Sequence, residues 1–407
     1  MERMPQGIVG RPRLMKRLNR SAILDLLRER GPLPRVKLTE ILHLSPATVT
    51  RIVNELIEEN LVLETGTSES IGGRRPTLLE FNYKANAIIG IDMGGTHILG
   101  ALADLGGNIL QRASLPSISG ENQKDGLEQL IKVIEELLGN SCLKDQKLRG
   151  IGIGAPSITL HREGIVVWAA SLGWKDLPLK KILQDRFHVP IFIENDVNLA
   201  ALGESWYGTG KGVHNLVCIS IGTGIGAGII IGGKLYRGHS EAAGEIGYLV
   251  PDSSYLGRRY EYFGCIETLA AGPGIVRRAL AAMERDRSTV LWELAGGDPK
   301  RLTAEIVFEA ARRGDHLAQE VVDETVDHIS LIVTSVAAIL NPELIILGGG
   351  IARSADLLIE PIRQRVEGVV PVMPTIKASE LGENAAVMGA IAMVLHSTSD
   401  IYLDSET

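Results

Sequence analysis

The sequence predicts a mixed α/β protein in two parts: a winged helix-turn-helix head over residues 1–84 and a larger two-lobed body over 85–407. Three observations predict it. First, one pattern is written twice. Ile89–Leu110 (IGIDMGGTHILGALADLGGNIL) and Val217–Leu235 (VCISIGTGIGAGIIIGGKL) each give an apolar strand, a Gly/Thr-rich turn, a second apolar strand and a Gly-Gly turn into a third. Asp92 corresponds to Ser220, Gly94 to Gly222, and Gly106-Gly107 to Gly232-Gly233. A duplicated lobe leaves a nucleotide-sized cleft between its copies. Second, the apolar periodicity changes near residue 85 from helical spacing to strand, turn, strand. Third, charge divides at the same place. Residues 1–84 hold 14 Lys and Arg against 10 Asp and Glu, whereas the remainder holds 28 against 39. A basic module on an acidic body points to a polyanionic partner for the module.

Length and composition bound the alternatives. A chain of 407 residues exceeds what one core supports, so two or three domains are expected. The longest apolar runs, such as Leu331–Leu340, fall short of a membrane span. The basic start has no apolar stretch behind it and does not read as a signal peptide. Cys142, Cys218 and Cys265 show no paired spacing, so a disulfide framework is not expected and the reducing cytoplasm is the expected compartment.

In the head, Leu14–Arg28 carries apolar residues at helical spacing, and GPLPR (31–35) ends it. A short helix follows over Val36–Leu42. Ser45 is an N-cap with Pro46 at the first helical position, and the new helix buries Val49, Ile52, Val53 and Leu56. Its other face presents Ser45, Ala47, Thr48, Thr50, Arg51 and Asn54. These are short residues able to approach base edges, plus an Arg and an Asn capable of bidentate contacts, as on a recognition helix for double-stranded DNA. Leu61–Glu64 and Thr77–Phe81 read as strands of a hairpin. Arg74 and Arg75 beside Gly72-Gly73 at its tip suit a wing lying on phosphates or in a minor groove.

In the body, Ile88–Asp92 is a buried strand ending in an acid. Gly94, Gly95 and Thr96 then supply free amides and a hydroxyl suited to a phosphate group or its metal, with Asp92 placed to bind Mg²⁺. Gly222, Thr223 and Gly224 repeat that turn, so the two can clamp one phosphate chain. Leu344–Leu347 runs into Gly348-Gly349-Gly350, where a base can stack on backbone around Gly349. Between the repeats, Pro190–Glu194 is a strand delivering Asn195 and Asp196 to its carboxyl end, the edge at which open α/β folds do chemistry. Asp196 can serve there as a general base for a sugar hydroxyl or, alternatively, cap the helix that follows.

At these residues the chain resembles the ROK family (repressor, open reading frame, kinase) of the actin-like, ribonuclease H-like ATPase and sugar kinase superfamily. Residues 87 to about 396 look like its sugar kinase body, and 14–82 like the winged helix-turn-helix of its repressor branch, down to SPATVTRIVNEL and GGRRP. The resemblance implies the two phosphate turns, Asp196 as catalytic base in kinase members, and Asn195, Glu245 and Glu267 as sugar-hydroxyl ligands. Three positions depart from the family pattern. Tyr248 stands where kinases carry a His that touches sugar and zinc. Arg258–Cys265 (RRYEYFGC) replaces CxCGxxGC, so of the zinc ligands only Cys265 remains, and one thiolate cannot make a tetrahedral site. Ser171 replaces an Asn that contacts a sugar hydroxyl.

The expectation is therefore a sugar-responsive, DNA-binding transcriptional regulator of carbohydrate genes, read as a repressor. It would be a homodimer or homotetramer with an operator and a sugar or sugar phosphate as partners. No membrane, no zinc and no required cofactor are expected, and packing of Tyr260, Tyr262 and Phe263 replaces the metal. The alternative is an ATP- and Mg²⁺-dependent sugar kinase of glucokinase or N-acetyl-amino-sugar type, or a protein that does both. The acidic tail, Ser397–Thr407, is expected to be disordered.

Overall fold

The computed structural model describes residues 12–67, 76–117, 123–139, 146–169, 172–258, 260 and 264–398. The head packs helices α1 (Pro12–Arg30), α2 (Arg35–Leu42) and α3 (Pro46–Glu58) on a small sheet of β1 (Leu33–Pro34), β2 (Val62–Thr67) and β3 (Thr77–Phe81), ordered β1-β3-β2. Strand β1 lies within the helix-breaking segment 31–35. Ser45 caps α3 as expected, its side chain accepting from the Thr48 N–H at 3.2 Å.

Each body lobe carries a five-stranded sheet with the same plan. The first consists of β4 (Asn86–Met93), β5 (His97–Asp104), β6 (Ile109–Pro116), then α4 (Gln123–Leu138) and β7 (Lys147–Ala155). The subsidiary β8 (Ile158–Leu160), β9 (Ile165–Ala169) and β10 (Trp174–Leu177) follow, then α5 (Leu179–Phe187) and β11 (Ile191–Asn195). Its order is β11-β7-β4-β5-β6. After α6 (Asp196–Tyr207), the second lobe repeats the antiparallel triplet with β12 (Leu216–Ile221), β13 (Ile225–Ile231) and β14 (Lys234–Leu235). Helices α7 (Cys265–Ala270), α8 (Gly272–Arg285), α9 (Val290–Leu294), α10 (Ala304–Arg312) and α11 (His316–Leu340) lead to β15 (Leu344–Gly348), α12 (Ala355–Val366), β16 (Thr375–Ala378) and α13 (Ala385–Thr398). The order β14-β13-β12-β15-β16 matches the first lobe position for position, with the same antiparallel and parallel pairings. The duplicated hairpin of the sequence is thus a duplicated lobe.

Two close approaches join the parts. Helix α13, from the far end of the chain, lies on the first lobe, where a Cβ on Gly90 would meet the Val387 carbonyl at 2.6 Å and one on Gly152 the Ala390 carbonyl at 2.5 Å. Glycine in a strand is explained by such backbone proximity. It also crosses α6, where Gly203 faces Ala385 and Gly389 faces Leu199. The helix runs on to Thr398, whose carbonyl and hydroxyl accept from Arg149, so Ser397 and Thr398 are helical rather than part of a disordered tail. The rest of the tail lies outside the described residues. The head's apolar core continues into the first lobe through Phe81, Ala85 and Ile88.

Candidate functional site

Helix α3 buries Val49, Ile52, Val53 and Leu56 completely. That leaves Ser45, Ala47, Thr50, Arg51 and Asn54 exposed and Thr48 half-buried. The long polar groups on this face are held in place. Arg51 pairs with Glu55 at 3.2 Å, Glu55 also takes Lys16 at 2.9 Å, and Asn54 Oδ1 accepts from Arg35 at 3.3 Å. Such a face fits the major groove. Arg74 and Arg75 lie outside the described residues, as does Ser171.

Between the lobes opens a cleft of about 870 Å³ lined by Asp92, Gly94, Gly95, Thr96, Asp196, Gly222, Thr223 and Gly349. The two Gly/Thr turns face each other across it: a methyl placed on Gly95 would sit 3.5 Å from the Thr223 hydroxyl. The first turn is fixed by Ser117, whose hydroxyl donates to the Gly94 carbonyl at 2.6 Å. The second is fixed by the Gly272 N–H donating to the Gly222 carbonyl at 2.8 Å. Gly349 has φ +77°, and a Cβ there would meet the Ile221 backbone at 2.4 Å, so only glycine closes this wall. Asp92 Oδ1 is buried without a hydrogen-bond partner. Burial, with Asp196 beside it, pushes the Asp92 carboxyl up to about 8. An orphaned buried carboxylate oxygen beside free amides fits Mg²⁺ with a phosphate chain.

The cap of α6 is Asn195. Its Oδ1 accepts from the Asn198 N–H at 3.0 Å, and its Nδ2 donates to the Ser157 carbonyl at 3.0 Å. Asp196 is therefore released from capping. Its carboxylate accepts from the Val197 N–H at 2.9 Å and from its own backbone N–H, and burial outweighs both bonds and lifts it to about 6. Glu245 is lifted to about 7, by burial first and then by Glu267 and Asp196. Glu267 is raised by burial, while both of its oxygens hold backbone: Oε1 takes the Ile225 N–H and Oε2 the Gly264 N–H, each at 3.2 Å. It thus ties α7 to the second phosphate turn and has only its remaining lone pairs for a ligand. Tyr248 is 62 % exposed at the end of this segment, and its hydroxyl is raised by burial and by Glu245 and Glu267. Glu194, not among the residues expected from the sequence, is 1 % exposed and accepts from Asn195, Asn198 and Arg237. Its signal was a carboxylate inside an otherwise apolar strand.

The zinc donor set does not fit. Cys265 Sγ is buried, and its polar neighbour is the Tyr260 hydroxyl at 3.3 Å. Tyr248 offers no imidazole, and Tyr262 and Phe263 lie outside the described residues.

A recognition helix on a body of two repeated lobes, with facing phosphate turns and a carboxylate-lined floor, defines the class: a DNA-binding regulator built on a sugar kinase fold. The ROK family profile matches residues 88–397, and a MarR family profile matches 18–65 within the head. The chain belongs to the ROK family. It is 31 % identical to the xylose repressor of Caldicellulosiruptor bescii, over 95 % of this chain and 98 % of that one. The crystal structure of a ROK family transcriptional regulator, a homolog of the E. coli MLC protein, superposes with TM-score 0.80 at 28 % identity, covering 94 % of this chain and 96 % of that one. A ROK family glucokinase from Streptomyces griseus, in complex with glucose and AMPPNP, gives TM-score 0.67 at 29 % identity, covering 76 % and 99 %. The kinase likeness omits the head, whereas the regulator likeness includes it.

Proposed function

We propose that this protein is a sugar-responsive transcriptional repressor. It binds its operator as a dimer through the face of α3 and releases it when a sugar enters the site between the lobes. The observation that carries this reading is the pairing, in one chain, of an outward recognition face with a group of carboxylates, Glu245 and Glu267, gathered about Asp196 where it lines the inter-lobe cleft. A dimer supplies two heads for two half-sites about one helical turn or a multiple apart. The effector is uncharged. Three carboxylates gather where it binds, so hydroxyls are welcome donors and a phosphate dianion is repelled, while the neighbouring cation, Arg237, is already held by Glu194. The names of the full-length relatives make D-xylose the first sugar to test. No zinc is needed, because Tyr260 fills the neighbourhood of Cys265, and a DNA-binding repressor works in the cytoplasm. A mobility-shift titration of DNA upstream of its own gene, with and without D-xylose, D-glucose and N-acetylglucosamine, tests the reading. Binding that one neutral sugar weakens supports it, and absence of binding at modest salt overturns it.

A second reading, residual sugar kinase activity, is favoured by one observation: Asp196 is free of capping and sits beside the phosphate cleft. Asp92 would hold Mg²⁺ there, Gly94–Thr96 and Gly222–Gly224 would hold phosphates, and Asp196 would take the proton of the attacking hydroxyl. ADP release over the same sugars, abolished by Asp196→Ala, would establish it; no release would leave the repressor role alone.

A further inference from the structure

We propose that Glu194, Arg237, His161 and Glu241 form a clasp between the two lobes that positions the sugar-facing loop, so that tight sugar binding requires the clasp to be shut. The inference rests on the sugar-sensor reading for its consequence, and on separate residues for its geometry. Glu194 is the penultimate residue of β11 in the first lobe and is 1 % exposed. Its Oε1 accepts from the Asn195 N–H and from Asn198 Nδ2, both at 3.0 Å. Its Oε2 accepts from Arg237 Nε at 2.7 Å, and His161 Nδ1 lies 3.5 Å away. Arg237 follows β14 and belongs to the second lobe, so this charge-assisted bond crosses between lobes. A second contact crosses beside it. The Glu241 carboxylate, from the second lobe, accepts from the His161 N–H in the β8–β9 connection of the first. His161 is itself pinned by Nδ1 donating to the Ile193 carbonyl at 2.8 Å.

Backbone geometry marks the same place. Glu241 has φ +57°, a left-handed conformation that residues with a Cβ seldom adopt. Such a conformation persists where the surroundings enforce it, and here it turns the carboxylate back toward the other lobe. Between the two contacts the loop closes on itself, the Ala243 N–H donating to the Arg237 carbonyl at 3.0 Å. The next residue, Gly244, is held against β13 by the Ala227 N–H at 2.8 Å. Glu245 follows directly. One buried carboxylate therefore sets both halves of the sugar site: Glu194 immediately precedes Asn195 and Asp196, and through Arg237 it anchors the loop that presents Glu245 and Tyr248. These four are positioning residues, since the ligand's contacts belong to their neighbours.

The test uses the full-length protein and three variants. Arg237→Gln removes the cross-lobe charge. Arg237→Lys keeps the charge without the Nε bond. Glu241→Gly removes the second contact at a φ that glycine accepts, so this variant should fold even if Arg237→Gln does not. Without sugar, hydrogen exchange of the amides of residues 237–249 is expected to speed up about ten-fold or more in Glu241→Gly and Arg237→Gln, and less in Arg237→Lys. Operator binding without sugar should stay unchanged. With D-xylose as probe, the variants should bind about ten-fold more weakly than the wild type in the same rank order. Unchanged exchange of this loop in folded variants overturns the clasp, whatever the sugar result. Sugar affinity equal to the wild type in variants whose loop has loosened overturns the link between clasp and binding. A wild type that binds none of the sugars counts against the sensor reading instead, and the exchange measurement then decides the clasp by itself.

Discussion

Asp196 is available for ligand or proton chemistry because its neighbour Asn195 performs the capping. The sequence could not choose between them, since either side chain caps a helix; the backbone decides, placing Asn195 outside the first turn and Asp196 within it. The acids of the cleft titrate in an unusual range, and Asp92 gives a prediction with a definite sign. An unfolded Asp92 loses its proton near 3.8, whereas the folded one keeps it up to about 8. Its contribution to stability is fully present below about 4 and is lost as pH rises through about 8. Asp92→Asn removes that titration, so without nucleotide or divalent metal its melting temperature should exceed the wild type's by more at pH 8 than at pH 5. A constant difference between the two pH values, in calorimetry, would contradict the assignment. The positions of Asp92 and Asp196 at strand ends facing the cleft were legible because each sits in a local motif. Glu194 was not, because its partners Arg237 and His161 come from distant parts of the chain and only the fold brings them to it.

The elements that hold this site were legible in part. The repeated hairpin announced two lobes because its apolar period and its Gly-Gly turns are local signals, and the sheet orders bear that out. The docking of α13 on the first lobe was hidden, because it leaves only scattered glycines as a trace in sequence. Gly389 illustrates how tight that docking is: a Cβ there would fall 1.8 Å from the Leu199 carbonyl of α6, which is backbone and cannot swing aside. Gly389→Val should therefore force α6 and α13 apart and cost at least about 1–3 kcal/mol, read as a lower denaturant midpoint of the body. An unchanged midpoint would mean the crossing tolerates side chains. Because α6 begins at Asp196, the same variant should also weaken sugar binding. At its other end, Tyr207 lies over Gly107, next to the turn where Tyr83 of the head connection packs on Gly106. Helix α6 thus runs from the sugar site to the seat of the head.

At the scale of the whole molecule, the head's core merges with that of the first lobe, while the clasp and the sugar residues span both lobes. A sugar that changes how the lobes close must therefore move the head's seat relative to the second lobe. In a dimer this alters the spacing of two recognition helices on a fixed operator. The charge division seen in the sequence serves the same arrangement, with the basic end on DNA and the acidic body away from it. The most direct test is the operator dissociation constant at one fixed salt concentration, with and without saturating D-xylose, alongside Arg51→Ala as the reading-face control. Saturating sugar is expected to weaken operator binding about 5- to 150-fold, and Arg51→Ala should bind more weakly under both conditions. Operator affinity that is identical with and without every sugar that binds the cleft would contradict this expectation.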